Sequence, residues 1–365
     1  MPGCLAQGRN PGFFHNPQSD GEEYGSMLKA GIIGLGKMGL SHCAIVNAQP
    51  GVELTAVCDK SKFLTWMLEK YGNHKCYDDY RKMLDSHGFD LVFVATPTPY
   101  HHEIVKYALE RGINVFCEKP FCLNARESRE LVELAEKQKL VNQVGYHNRF
   151  LGSFKEARRL LDKGVIGQIS HFLGEAYGPV VLKEQASTWR SSAKEGGGCL
   201  ADYASHVINL VEFLIRPPEK VAGSVLQPIF SKEVEDAVYS TLFCQDGING
   251  HVSVNWSDDT YRKMTTQITV HGKQGKLYVD QQEVRVYVRE EIPDENLTRG
   301  WNTRYITDVT DPVGFYLRGE EYSAQVEYFL EAVRAHSHVN VNSFASALHT
   351  NEVVDMIKAN AANPG

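Results

Sequence analysis

Residues 29 to 146 alternate short apolar runs with helical patterns. The run at 89–95 is almost continuously apolar, which is typical of a strand buried on both faces of a parallel sheet. Residues 125–139 place apolar side chains on one face of a helix. The alternation predicts a doubly wound α/β unit. The predicted strands are 29–33, 53–58, 89–95, 113–116 and 141–145, and the predicted helices are 40–48, 103–110 and 125–139.

The pattern changes after residue 147. Residues 248–256 and 284–288 alternate between apolar and polar with period two, which predicts strands with one buried face. Asp246 with Gly247, and the segment 272–275, supply hairpin turns. We expect an α+β domain with an open, largely antiparallel sheet that helices cover on one face. The first strand is predicted at 169–177, and the helices at 154–163, 320–335 and 345–359.

Three glycines, Gly34, Gly36 and Gly39, follow the first predicted strand. At this spacing they permit a tight turn, a close approach of the backbone to a pyrophosphate, and close packing of a helix on a strand. Asp59 follows about 20 residues later, where a dinucleotide fingerprint places the acid that binds the adenosine ribose. The predicted cofactor-binding residues here are Gly34, Gly36, Lys37, Met38, Gly39 and Asp59.

Polar residues at two further strand ends should reach the same edge of the sheet. Ligands bind beyond the carboxyl ends of the strands in an open parallel sheet. Lys119 stands there, held out of helical geometry by the proline that follows it, so we expect it to take part in chemistry. His101 either contacts the cofactor or forms hydrogen bonds at a helix start. The candidate cofactor-binding residues at these ends are Thr96, Pro97, His101, Glu118 and Lys119.

A third polar group is predicted on a helix that follows glycines 196–198. Asp202, His206 and Asn209 stand at i, i+4 and i+7 and share one face of that helix. A carboxylate near a helix start is favoured by the helix dipole, and it could orient a histidine one turn later for proton transfer. A histidine satisfied within its own helix is the ordinary alternative. The neighbouring aspartate and glycines lead us to favour catalysis.

Together these motifs resemble the glucose–fructose oxidoreductase, inositol dehydrogenase and MocA (Gfo/Idh/MocA) family over nearly everything from Met27 onward. The resemblance implies a Rossmann domain, an open-faced second domain, NAD or NADP, and oxidation or reduction of a secondary alcohol of a sugar or cyclitol. It implies that Lys119, Asp202 and His206 are catalytic, and it allows a cis peptide before Pro120. The motifs that carry it are Gly34 to Gly39, Glu118 to Pro120, Trp189 with Arg190, glycines 196–198, and Asp202 with His206.

The predicted domains are residues 27–147 for the dinucleotide and residues 148–365 for substrate binding and oligomerisation. Residues 1–26 are rich in Gly, Pro and Asn, and we interpret them as a disordered leader or a cloning remnant. A polyol site needs apolar stacking surface and a few donors. The residues expected to line it are Tyr146, Asn148, Tyr177, Trp189, Arg190 and Asn209.

Alternatives remain for several pocket residues. Tyr146 and Trp189 could serve interdomain packing, and Arg190 could bind a substrate carboxylate or phosphate or a protein acid. Ala204 stands where many relatives have glycine and Asn209 where many have aspartate, which puts the substrate's identity in question while leaving hydride transfer in place.

The predicted reaction moves a hydride between a carbinol carbon and the nicotinamide while His206 takes or returns the hydroxyl proton. Lys119 would stabilise charge on the same oxygen and Asp202 would hold the imidazole, although Lys119 and His206 could exchange roles. A sugar-sensing regulator that binds NAD without turnover, or an NAD-dependent glycosidase, is the alternative. Lys60 and Lys62 would attract the 2′-phosphate of NADP, whereas Asp59 repels it. NAD is favoured because the repulsion by the carboxylate outweighs the attraction of solvated lysines.

Composition contributes mainly exclusions. A net charge of −7 and a pI near 6.1, with no basic stripe, argue against nucleic acid as a partner. No apolar segment has the length of a membrane span. Eight scattered cysteines without a metal-type pair suggest reduced thiols in the cytoplasm and no metal site. Apolar residues on both faces of the strand at 237–244 predict a homodimer or homotetramer that covers the open sheet.

Overall fold

Six parallel strands form the first sheet in a computed structural model that describes residues 27–72, 74–184, 189–338 and 340–363. The strands are β1 (Leu28–Ile33), β2 (Val52–Cys58), β3 (Lys75–Tyr77), β4 (Leu91–Val94), β5 (Asn114–Cys117) and β6 (Asn142–Val144), and the helices are α1 (Lys37–Asn47), α2 (Lys62–Gly72), α3 (Tyr80–Ser86), α4 (His101–Leu109) and α5 (Ala125–Gln138). The strand order β3-β2-β1-β4-β5-β6 reverses between β1 and β4, which creates the expected ligand crevice at the carboxyl ends.

Eight strands form the second sheet, which extends through the rest of the chain. The strands of this sheet are β7 (Ile169–Tyr177), β8 (Lys220–Gln227), β9 (Ala237–Phe243), β10 (Asn249–Asn255), β11 (Gln267–Gly272), β12 (Gly275–Val279), β13 (Glu283–Val288) and β14 (Gly300–Tyr305). The helices in this part of the chain are α6 (Gly152–Asp162), α7 (Ser205–Leu214), α8 (Ile306–Val309), α9 (Glu320–Arg334) and α10 (Phe344–Ala362). The order is β14-β13-β12-β11-β7-β10-β9-β8, and only the β7–β10 pair is parallel. The sheet is therefore largely antiparallel, as predicted.

Helix α7 covers one face of this second sheet closely. A Cβ on Gly174 of β7 would lie 2.6 Å from Cγ1 of Val207, so the sheet and helix backbones approach each other there. Because side chains alternate along a strand, the buried Phe172 and Ala176 also face the helix, whereas Tyr177 faces the opposite, open side. Among the described residues, large side chains such as Trp301 and Tyr287 remain exposed on that open side.

Helix α9 leaves the second domain and completes the core of the first. Phe329 of α9 packs its ring 5.7 Å from Phe93 of β4 and 5.8 Å from Phe116 of β5. Val326 and Leu330 are fully buried in the same cluster. The division at residue 147 therefore separates the two sheets, but the chain returns to the first core beyond it.

The segment from α2 to α3 contains elements that the sequence patterns do not predict. Helix α2 has no buried residue, although Leu64 and Leu68 pack against the core of the first domain, and β3 is only three residues long. In the described part of the chain no helix is long and apolar enough to cross a membrane. Seven described cysteines are unpaired, while Cys4 and the predicted leader lie outside the described residues.

Candidate active site

The three glycines between β1 and α1 have separate structural tasks. Gly34 has a φ of +94°, and a Cβ there would lie 2.6 Å from the carbonyl oxygen of Ala95. A Cβ on Gly39 would lie 1.8 Å from the carbonyl oxygen of Gly34, so only glycine lets α1 pack against the turn. No atom lies within 4 Å of the Cβ position of Gly36, which leaves open space at the start of the helix. The glycine pattern thus gives the tight turn, close packing and open approach that it predicts.

The residues around this opening fit a dinucleotide. Gly36 caps α1 without a side-chain acceptor, so the first N–H groups of the helix remain available to a phosphate. Asp59 closes the other side, where its Oδ2 accepts a hydrogen bond from the Leu35 N–H at 2.6 Å and its Oδ1 accepts one from Ser61 at 2.7 Å. The carboxylate retains lone pairs for ribose hydroxyls. Beside β4, the Oγ1 of Thr96 has no hydrogen-bond partner among the described residues.

Lys119 reaches the site at the end of β5, and its peptide bond to Pro120 is cis. Its Nζ donates hydrogen bonds to Asp202, to Oδ1 at 2.6 Å and to the carbonyl oxygen at 3.2 Å. The Nε of Arg190 donates to the other carboxylate oxygen of Asp202 at 3.1 Å. Burial would raise the pKa of Asp202, but the charges and hydrogen bonds of Lys119 and Arg190 outweigh it and lower the pKa. Asp202 is therefore an anion shared between two cations.

Glycines 196–198 make this pairing possible. Gly196 and Gly198 adopt left-handed φ values of +77° and +104°. A Cβ on Gly197 would lie 2.3 Å from the carbonyl oxygen of Arg190, and one on Gly198 would lie 2.4 Å from Oε1 of Glu235. Side chains at these positions would prevent the turn that returns Arg190 to the start of the next helix.

The prediction that Asp202 holds the imidazole of His206 is wrong. Residues Leu200–Ala204 form a π-helical turn before α7 begins. A π turn pairs residue i with i+5, so Asp202 leaves the face that it would share with His206 on a regular α-helix. Both carboxylate oxygens are occupied by Lys119 and Arg190, and the Nδ1 of His206 is buried without a partner among the described residues.

His206 lies almost fully buried at the start of α7, with 8% of its surface exposed. The ring of Tyr146 packs edge-on against it at a centroid distance of 5.6 Å, and that of His147 does so at 5.2 Å. Burial, followed by the charges of Lys119 and His147, holds the pKa of His206 well below its ordinary value. The imidazole is therefore neutral at neutral pH, which is the form that can accept a proton.

His147 and Tyr322 also belong to this site, although the sequence patterns do not single them out. The two rings stack at a centroid distance of 4.5 Å and an angle of 19°. Burial lowers the pKa of His147 to about 4. His147 follows the carboxyl end of β6, so the strand-end rule that selects Lys119 could also have found it. Tyr322 comes from α9, and no local pattern points to it.

Glu118, one of the predicted cofactor-binding residues, has a hydrogen-bond partner inside the protein. Its Oε1 lies 2.7 Å from Nε2 of His42, a fully buried residue of α1. The ring of His42 packs against Phe93 at 5.4 Å and Phe116 at 5.1 Å. The carboxylate therefore joins the end of β5 to α1 beneath the site.

Comparison with known proteins identifies this arrangement of domains. Residues 28–146 match the family described as "Oxidoreductase family, NAD-binding Rossmann fold", and residues 154–278 match the "GFO/IDH/MocA C-terminal domain". The chain belongs to the Gfo/Idh/MocA family. Its first domain is thus the NAD-binding domain of a Gfo/Idh/MocA oxidoreductase, which confirms the resemblance and the cofactor inferred from the motifs.

Several Gfo/Idh/MocA proteins are similar to the chain. The scyllo-inositol 2-dehydrogenase (NAD(+)) of Bacillus subtilis is 28% identical over 190 residues, which are 52% of this chain and 54% of that protein. The D-glucoside 3-dehydrogenase of Escherichia coli is 30% identical over 240 residues, 61% of this chain and 68% of that protein. The chain thus spans little more than half of the first relative. Levoglucosan dehydrogenase in complex with NADH has the same fold, with a TM-score of 0.83, 22% identity, and coverage of 93% of this chain and 98% of that one.

Two residues predicted to line the substrate pocket, Tyr177 and Asn209, form hydrogen bonds inside the protein. The hydroxyl of Tyr177 is 2.6 Å from Oγ of Ser253 on the open face of the second sheet. Asn209 uses both ends of its amide inside the protein, since Oδ1 accepts from Nε of Arg149 at 2.7 Å and Nδ2 donates to Thr350 at 3.1 Å.

His101 has the structural role that was one of its two predicted alternatives. One ring nitrogen lies 2.9 Å from the carbonyl oxygen of Pro120, and the other lies 2.7 Å from that of Thr96. The imidazole therefore connects the loops that follow β4 and β5, and neither nitrogen remains for the cofactor. Among the other predicted pocket residues, Trp189 is 38% exposed and Asn148 is buried. The Cζ atom of Arg190 lies 4.6 Å from the centroid of the Trp189 ring.

Proposed function

We propose that this protein is an NAD-dependent dehydrogenase that acts on a secondary alcohol of a sugar or cyclitol. The observation that supports this proposal is the presence of a neutral imidazole, that of His206, and an ammonium group, that of Lys119, in the same site. Burial keeps His206 neutral, and the ion pair with Asp202, 2.6 Å away, fixes Lys119. Such a pair can remove a hydroxyl proton and stabilise the oxygen that remains. NAD supplies the hydride acceptor when it is bound. NADH formation with a panel of sugars and cyclitols tests the proposal.

Proton transfer is assigned to His206 and charge stabilisation to Lys119. The neutral imidazole offers a lone pair to the hydroxyl proton, while the ammonium group has only donors. As the proton leaves, the substrate oxygen becomes negative and its attraction to Lys119 grows. An interaction that strengthens towards the transition state lowers the barrier. Asp202, which Arg190 binds on its other carboxylate oxygen, holds the ammonium group in place for this task.

The proposed substrate is a polyhydroxylated ring. The relatives described above are named for scyllo-inositol, a D-glucoside and levoglucosan, which share several neighbouring hydroxyls. Near His206 the chain offers the ring of His147, and the exposed Trp189 lies beside Arg190 at the same end of the strands. Ring surfaces with few donors suit the faces of a sugar or cyclitol.

Replacement of Asp59 with serine should move cofactor preference towards NADP. The carboxylate would accept hydrogen bonds from ribose hydroxyls and repel a 2′-phosphate, whereas Lys60, the next residue in the sequence, would attract one. We expect the ratio of kcat/KM for NAD to that for NADP to fall about tenfold or more, a difference of ~1.4 kcal/mol. The exposed Asp78, replaced in the same way, is the matched control. A wild-type preference for NADP, or an unchanged ratio, would show that Asp59 is not the selector.

A second copy of the chain is proposed to cover the open face of the second sheet. Large apolar side chains on a face without a partner favour self-association. Trp301 of β14 is 55% exposed there, so Trp301→Asp should shift the protein towards monomer in light scattering at micromolar concentration. Trp66→Asp, a change of a 49% exposed tryptophan in the first domain, should have no effect. A wild-type monomer would reject the proposal. The other large exposed apolar or aromatic residues on strands of the second sheet are Val225, Phe243, Tyr287 and Tyr305.

A further inference from the structure

Arg149 is a nearly buried cation, 5% exposed, that the proposed chemistry does not use. Its Nε donates to Oδ1 of Asn209 at 2.7 Å, and its Nη2 donates to the carbonyl oxygen of the same residue at 2.9 Å. Nη2 also lies 3.3 Å from Oε2 of Glu212, and Nη1 donates to the carbonyl oxygen of Val341. The guanidinium therefore binds helix α7 at two successive turns and holds the segment before α10.

This arginine connects the two elements that carry the rings of the site. It lies in the 3₁₀ helix His147–Phe150, two residues after His147 and three after Tyr146. Its partner Asn209 is three residues after His206 on α7, on the neighbouring turn. One planar group thus fixes the segment of Tyr146 and His147 against the helix of His206.

His206 depends on this attachment more than an ordinary catalytic histidine does. A second side chain usually fixes the ring of such a histidine through a hydrogen bond. Here Nδ1 of His206 has no partner in the described chain, and Asp202 is bound elsewhere. The ring is held by its edge contacts with Tyr146 and His147. The orientation of the imidazole therefore follows from the distance between their segment and α7.

We propose that Arg149 is a positioning residue for His206, acting through Tyr146 and His147. This inference rests on the proposed function of the same site. A buried ion pair such as Arg149 with Glu212 is a poor source of stability, because apolar replacements of similar volume often serve as well. The two hydrogen bonds from Arg149 to Asn209 instead fix the position of the 3₁₀ helix relative to α7. A lysine has a single ammonium group and cannot reproduce both bonds.

The first test compares Arg149→Lys with Arg158→Lys. Arg158 also donates to a carbonyl oxygen of α7, that of Phe213, but lies 38% exposed at the far end of the helix. We expect Arg149→Lys to lower kcat about 10- to 100-fold, since small misplacements of reacting groups have effects of that size. The dissociation constant for NADH, measured by fluorescence, should stay unchanged in both variants. Wild-type kcat in folded Arg149→Lys, or an equal loss in Arg158→Lys, would overturn the proposal.

The second test separates positioning from stability and does not need turnover. The double variant Arg149→Met with Glu212→Leu removes both buried charges, and it should retain the thermal unfolding midpoint better than Arg149→Met alone. We expect the ring NMR signals of His206 to move in the double variant and in Arg149→Lys, but not in Arg158→Lys. Unmoved signals would overturn the positioning role. If the wild type itself has no turnover while these signals move, the proposed function fails and the positioning role remains.

Discussion

Replacement of His206 with asparagine should lower kcat/KM about 10²- to 10⁴-fold, the range found when a general base is removed. Asparagine has no group that can accept the hydroxyl proton, and it fills part of the same space. The binding of NAD should be unchanged, because Gly36 and Asp59 lie at another part of the crevice. Steady-state kinetics with a sugar or cyclitol substrate and titration with NADH measure the two effects separately.

The matched control is His102→Asn on α4. His102 is a histidine of the first domain, and its Nε2 lies 2.9 Å from Oε2 of Glu130 at the protein surface. Its replacement should leave kcat/KM at the wild-type value. A folded His206→Asn enzyme with near-normal turnover would remove His206 from the mechanism.

Replacement of Lys119 with methionine should lower kcat/KM about 10²- to 10³-fold, as does the loss of a group that stabilises a developing oxyanion. Methionine keeps much of the length and apolar volume of the lysine stem but cannot donate to the substrate oxygen. Asp202 would keep Arg190 as its cationic partner, so the turn at 196–198 should persist. Lys106→Met, which removes a surface lysine paired with Glu130, is the control.

The Lys119→Met enzyme should also change its dependence on pH. The positive charge of Lys119 is one cause of the lowered pKa of His206, so its removal raises that pKa. His206 accepts a proton only while it is neutral, and it becomes protonated as the pH falls. Residual kcat/KM should therefore decline at a higher pH in the variant than in the wild type. An unchanged acid limb would mean that Lys119 does not lie beside the titrating group.

Rules that act within a short segment predict part of this site from the sequence. The turn at Gly34 needs a positive φ, and glycine adopts it without steric cost. The cap of α5 follows a similarly local rule, since Asn124 accepts a hydrogen bond from the N–H of Glu127, three residues later, at 3.0 Å. Lys119 lies at the carboxyl end of a buried strand, and the parallel sheet brings such ends together.

Pairings between distant segments are what the sequence does not predict. Asp202 was expected to contact a residue four positions away, but it binds Lys119, 83 positions away, because one π-helical turn rotates it. Asn209 was expected to face the substrate, yet it accepts a hydrogen bond from Arg149, 60 positions away in the sequence. The alternation of side chains along β7 predicts that Tyr177 and the adjacent Ala176 face opposite sides of the sheet. It does not predict which side is buried, because that depends on where α7 packs.

The most direct test of the account is the formation of NADH by the wild-type protein, followed by its near-ultraviolet absorbance across a panel of sugars and cyclitols. We expect NAD-dependent turnover of at least one polyhydroxylated ring, and loss of that turnover in His206→Asn. Tight binding of NAD with no NADH formed on any member of the panel would contradict it, and the protein would then be a sensor that binds the cofactor without using it.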